Sequence, residues 1–130
     1  MSMLAATTAD EVERYYWQLE NRAVVQGQLY SAAPPLTSVL IAALLDDIAR
    51  PARIGALDLL YQLVKGTPHP DEAESHPNLG EECRARAYEG IWILYKELLY
   101  GEAGAAKDVL EVVEHDPDRL HWFLTRSRMT

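Results

Sequence analysis

Cysteine is almost missing from this 130-residue chain, and the lone Cys83 excludes an internal disulfide and any zinc site built from several thiolates. Long apolar runs are missing too. The longest, Val39 to Leu45, falls far short of the roughly 20 residues that span a bilayer. The opening MSMLAATTADEVER has neither the basic stretch nor the apolar stretch of a secretory leader, so a cytoplasmic location is expected. No segment alternates apolar and polar residues between hairpin turns. H-E-x-x-H, C-x-x-C and a phosphate-cradling glycine loop followed by lysine and serine are all lacking. Positive charge is scarce as well, with 12 Lys and Arg against 20 Asp and Glu.

What is present is an apolar chain with uneven charge. Hydrophobic residues make up 48%, with seven tyrosines and three tryptophans, which is too apolar for disorder and suits one globular domain over 1–130. Residues 66–118 carry thirteen acids against four bases, whereas 119–130 carry only Arg119, Arg126 and Arg128. An acidic field of this kind repels phosphate backbones and anionic membranes, and it speeds encounter with a partner whose surface is basic. Nucleic acid and membrane are therefore not expected as partners.

Helical periodicity runs through most of the chain. Thr8 and Glu11 form a capping-box pattern ahead of Val12, Tyr15, Tyr16 and Leu19. Pro34-Pro35 ends that region and opens a second helix, in which Leu36, Val39, Leu40, Ala43 and Leu44 are expected to form one buried stripe. Pro51 starts a third, apolar around nearly its whole circumference except at Asp58 and Gln62, so it is expected to lie between neighbours. It should stop at Lys65, with Gly66 in the left-handed cap position and Pro68 beyond. Asn78 and Glu81 repeat the capping signal for a helix expected to run unbroken to Tyr100-Gly101, with Ala87, Ile91, Leu94 and Leu98 inside. Ala106, Val109, Leu110 and Val113 mark a further helix, and Asp116 caps a last short one. These signals predict an all-α protein of five to seven helices.

Between two of those helices lies GTPHPDEAESHPNLGEE, residues 66–82, with three prolines, five carboxylates and no lysine or arginine. Its His69, Asp71, Glu74 and His76, with Cys83 nearby, are ligand types for a transition metal, but their spacing matches no metal motif. Cys83 has no recognisable base among His76, His115 and His121, and its helical position favours a buried thiol. Asp46-Asp47, Asp71-Glu72 and Glu81-Glu82 are adjacent pairs that do not face one another on a helix, so they read as charge rather than an acid-base dyad. Trp17 follows Tyr15 and Tyr16, and three consecutive aromatics point in different directions, leaving at least one outward. Trp92 and Tyr95 share one face, as core or as interface anchors.

LLDDIARPARIGALDLLYQLVKG, residues 44–66, resembles a HEAT-type helical repeat: an apolar helix, Asp47 in the turn, then Arg53 opening a second apolar helix. The resemblance implies that Asp47 and Arg53 brace the turn, as a carboxylate and a guanidinium across it can, and that the chain is a short α-solenoid or irregular bundle. It also implies a scaffold that binds a macromolecule without chemistry of its own. Combined with the charge, the expectation is a non-catalytic module that uses no cofactor or metal and binds a basic protein. Its contacts are expected at Asp71, Glu72, Glu74, Glu81, Glu82 and Trp17, the first three in an acidic loop at 67–80. Its most concrete form resembles a small bacterial immunity protein that masks a cationic toxin. A metal-dependent hydrolase using the loop histidines and carboxylates is the alternative from another class, and a regulatory subunit that self-associates is a third.

Overall fold

The computed structural model describes residues 24–25 and 28–127, so the helix expected from Thr8, together with Trp17, lies outside the described residues. Six helices dominate: α1 Ala33–Ala43, α2 Arg50–Lys65, α3 Leu79–Glu89, α4 Ile91–Tyr100, α5 Ala103–Val113 and α6 Pro117–Ser127. The protein is all-α. Three two-residue strands accompany the helices, β1 Val24–Val25, β2 Gln28–Leu29 and β3 Thr67–Pro68; β1 pairs antiparallel with β2, and β2 pairs parallel with β3. No strand was legible in the sequence, because two-residue pieces carry no alternation to read.

α2 occupies the middle, against α1, α3 and α5, while α5 also packs on α4 and α6. Its near-continuous apolar circumference finds a neighbour on most sides: Ala52, Ala56, Leu57, Leu59, Leu60, Leu63 and Val64 are all fully buried. Between its exposed ends, Arg50 and Lys65, α2 exposes only Ile54 and Asp58. Leu79, Cys83 and Ala87 of α3, Leu94 and Leu98 of α4, and Val109 and Leu110 of α5 close one continuous core around it. Each leucine or valine among them taken from water contributes roughly 1.5–3 kcal/mol before entropy is counted.

α1 turns most of the expected stripe inward: Leu40, Ala43 and Leu44 are buried and Leu36 packs against the core, but Val39 is 53% exposed and the inner face is completed by Thr37 and Ile41 instead. Thr37 can lie inside because its hydroxyl donates to the Ala33 carbonyl, 2.9 Å away, which removes the cost of an unpaired buried polar group.

The single helix expected from Asn78 to Tyr100 is two helices. The chain breaks at Gly90, and a Cβ there would collide with Ile41 of α1, so the missing side chain lets α1 press against the α3–α4 corner. Asn78 makes no side-chain cap, since its conformation does not aim the amide at the first turn. Gly66 is extended rather than left-handed, because the backbone leaves α2 straight into β3. At the last helix Asp116 Oδ1 accepts the N–H groups of Asp118 and Arg119 at 3.1 and 3.2 Å, a two-bond cap.

Candidate functional site

The stretch between α2 and α3 begins under firm control. β3 pairs with β2, the His69 N–H donates to the Leu29 carbonyl at 2.8 Å, and the Tyr30 and His69 rings stack with centroids 4.6 Å apart. From there the chain makes a turn in which the Glu72 and Ala73 N–H groups reach the His69 carbonyl and His76 N–H reaches Glu72. Pro70 and Pro77 bound that turn and stop it from becoming a helix. At the far end Arg84 of α3 donates to the Val64 carbonyl at 3.1 Å and ties α3 back to α2. Gly80 sits so close to the Gly66 carbonyl that a Cβ would come within 2.7 Å of it.

This anchoring turns the carboxylates outward. Asp71, Glu74, Glu81 and Glu82 are exposed and Glu72 is half-buried. No lysine or arginine among the described residues comes within ion-pairing distance of any of the five. Only histidines approach. His69 Nδ1 lies 3.6 Å from Asp71 Oδ2, but that same nitrogen accepts the Asp71 N–H at 3.1 Å and so has no proton to offer the carboxylate. His76 Nε2 stands 3.8 Å from Glu72, in solvent. Glu81 and Glu82 occupy the first turn of α3, where the helix dipole favours negative charge.

The other residue types that suggested chemistry are not brought together. Among the described residues no group of three or more His, Cys, Asp and Glu side chains is gathered as a metal ion would require. Cys83 is fully buried, and burial pushes its thiol above the ordinary range, opposed by a hydrogen bond with Thr37. A thiol held protonated and out of solvent is a poor nucleophile.

Arg53 braces the α1–α2 turn, though with a different acid from the one expected. Its guanidinium donates to the Leu44 and Asp46 carbonyls at 3.2 and 2.8 Å and pairs with Glu97 of α4 at 2.6 Å. Asp47 stays exposed and outside this set. Glu97, only 5% exposed, also accepts the Glu102 N–H at 2.8 Å, and a Cβ on Gly101 would collide with its carboxylate. Above the pair opens a cleft of about 330 Å³, with Leu45, Asp46, Asp47, Lys96 and Tyr100 at its walls.

A second buried carboxylate, Glu114, was passed over entirely in the sequence. It accepts two bonds at 2.7 Å from Arg119 of α6, one from the Tyr95 hydroxyl of α4, and one at 3.0 Å from the Asp116 N–H. Burial alone would raise its pKa, yet those donors, Arg119 foremost, outweigh burial and hold the pKa down at about 2. Tyr95 moves the other way, raised by burial and by donating to Glu114. Arg119 is raised chiefly by Glu114 and also donates to the Tyr88 hydroxyl at 3.2 Å. These groups satisfy one another completely, so they join α3, α4, α5 and α6 rather than standing ready for a substrate.

Beside that network the two aromatics expected to share a fate divide. Tyr95 is buried and stacks on Phe123 at 4.1 Å, whereas Trp92 is 59% exposed. Trp122 of α6 is also half-exposed, and both indoles flank Phe123, with centroids 6.2 and 4.8 Å away.

The described residues thus make an all-α protein with an anchored acidic loop at one pole and an aromatic surface near its end. The chain matches no family model, no curated protein and no solved structure.

Proposed function

We propose that the protein is a non-catalytic binding module whose acidic pole, loop 67–80 with the first turn of α3, docks on a basic partner protein. The observation that carries this reading is the set of outward carboxylates, Asp71, Glu74, Glu81 and Glu82, held on an anchored backbone with no lysine or arginine among the described residues paired to them. An anchored loop loses little conformational freedom on binding, and unneutralised charge accelerates encounter with an oppositely charged surface. The α1–α2 pair, with Arg53 across its turn, supports the HEAT-like reading of residues 44–66, in which helices serve as a scaffold. In its most concrete form the module is an immunity protein that covers a cationic toxin by matching the charge of the toxin's anionic substrate.

The test is kinetic. Association with a basic protein encoded beside this chain would be measured for the wild type and for a variant carrying Asp71→Lys and Glu74→Lys, at rising salt. The wild-type on-rate is expected to fall steeply with ionic strength, and the variant to associate about tenfold or more slowly at low salt, with a flatter salt dependence. Equal on-rates for the two proteins at low salt would refute the acidic-pole assignment.

A further inference from the structure

The outer side of α4 carries Trp92, Lys96 and Tyr100 at successive steps of four residues, all exposed, with Tyr100 at 83%. α6 extends this surface with Trp122, over whose ring the Arg126 guanidinium lies 3.4 Å from the centroid. Arg119 in turn lies 5.1 Å from the Trp92 centroid but is committed to Glu114. Among the described residues no carboxylate pairs with Lys96 or Arg126. In a chain of net charge −8, this is an aromatic face whose cations have no ion-pair partner among the described residues, Lys96 also bordering the cleft with Asp46 and Asp47. Exposed Trp and Tyr beside an arginine are the residue types that anchor interfaces.

The complementary segment is in the same chain. Loop 67–80 exposes Pro70 and Pro77 together with Asp71 and Glu74, rings for the indoles and carboxylates for Lys96 and Arg126. Among the described residues no ring contact or ion pair joins it to its own aromatic face. The loop sits at the N-terminal end of α3, whereas Tyr88 near the other end of α3 already touches Arg119, and 11 helical residues separate the two poles by about 16 Å. The geometry points to a head-to-tail contact between two copies of this chain, the acidic proline loop of one seated on the Trp92–Trp122 face of the next. Pairing two aromatic faces with each other is disfavoured, since it would set Lys96 and Arg126 against their own copies. A head-to-tail contact is heterologous and propagates into rings or open chains. Because it uses the loop assigned above to a basic partner, self-assembly and partner binding would compete, but it involves a different surface and is tested without any partner.

Sedimentation velocity on the purified chain, at protein concentrations from about 10 to about 500 µM and at about 0.02 and 0.5 M salt, reads this directly. At low salt the mass is expected to rise with concentration to at least twice the 14.6 kDa of one chain, and to return towards 14.6 kDa at high salt. Arg126→Glu, at an exposed position, and Asp71→Arg with Glu74→Arg are each expected to remain at 14.6 kDa, while an equimolar mixture of these two variants regains association because the charges are exchanged. Trp122→Ala, checked for folding by its circular dichroism melt, should also stay monomeric. A mass of 14.6 kDa under every condition would overturn the proposal. So would association that survives the loop variants but not Trp122→Ala, which would show the aromatic face pairing with itself or with residues 1–23. Partner binding measured on monomeric Arg126→Glu, whose loop is intact, separates failure of this contact from failure of the acidic pole.

Discussion

Replacing Glu114 by glutamine removes one negative charge from the junction of four helices, and the cost can be worked out in two ways. The carboxylate is held at about 2 in the folded protein against an ordinary 4.5, and a depression of that size corresponds to about 3 kcal/mol of stability at neutral pH. Breaking a buried ion pair by deleting one partner costs about 3–5 kcal/mol, and the lower end applies because Arg119 is 26% exposed and can partly rehydrate. The two routes agree on about 3 kcal/mol. For a chain of this length that lowers Tm by about 10 °C. The sign with pH follows from the depressed value: the stabilisation is complete above pH 4.5 and fades as pH falls towards 2, where the wild-type carboxylate takes up its proton. Urea denaturation followed by tryptophan fluorescence, at several pH values for wild type and Glu114→Gln, is the assay. The gap is expected to be largest at pH 7 and to close between pH 4.5 and 2. A gap below about 1 kcal/mol at pH 7, or one that stays constant down to pH 2, would refute the reasoning. Because α6 has no fully buried residue and depends on this junction, hydrogen exchange in residues 117–127 should rise first.

Two further outcomes follow from buried groups away from the acidic pole. Glu97→Gln leaves Arg53 without its charge partner in a site where Glu97 is 5% exposed, and a loss of about 3 kcal/mol is expected, against less than about 0.5 kcal/mol for Asp47→Asn, measured by the same denaturation. Equal losses would restore Asp47 as the brace. Cys83 should resist alkylation by iodoacetamide at pH 8 in the folded protein and react at the rate of a free thiol once unfolded in urea; fast labelling without denaturant would contradict its burial.

How much of this was readable from residues alone divides along physical lines. The stops and starts were legible where they depend on neighbours in the chain. Pro34-Pro35 and Pro51 set the first turns of α1 and α2, and Asp116 set the cap of α6, because proline geometry and a short carboxylate act within three or four residues. The acidic character of 66–82 was legible for the same reason, since prolines forbid a long helix there and no basic residue intervenes. On α1 the sequence marks Leu40, Ala43 and Leu44 correctly but not the place of Val39 and Thr37, because Thr37 looks polar while its hydroxyl bonds within its own helix. The break at Gly90 was missed because its cause, Ile41, comes from another helix.

By itself, then, the sequence determined an all-α chain, the approximate limits of its described helices apart from the break at Gly90, an acidic second half and a buried lone thiol, all of which follow from periodicity, capping and composition. The tertiary structure alone decided the partners of the buried charges. Arg53 meets Glu97 across 44 residues and Tyr95 meets Glu114 across 19, because each acid reaches its donor only when separate helices pack. It alone also set the start of the loop against β2 and brought Arg119 of α6 to Tyr88 near the far end of α3.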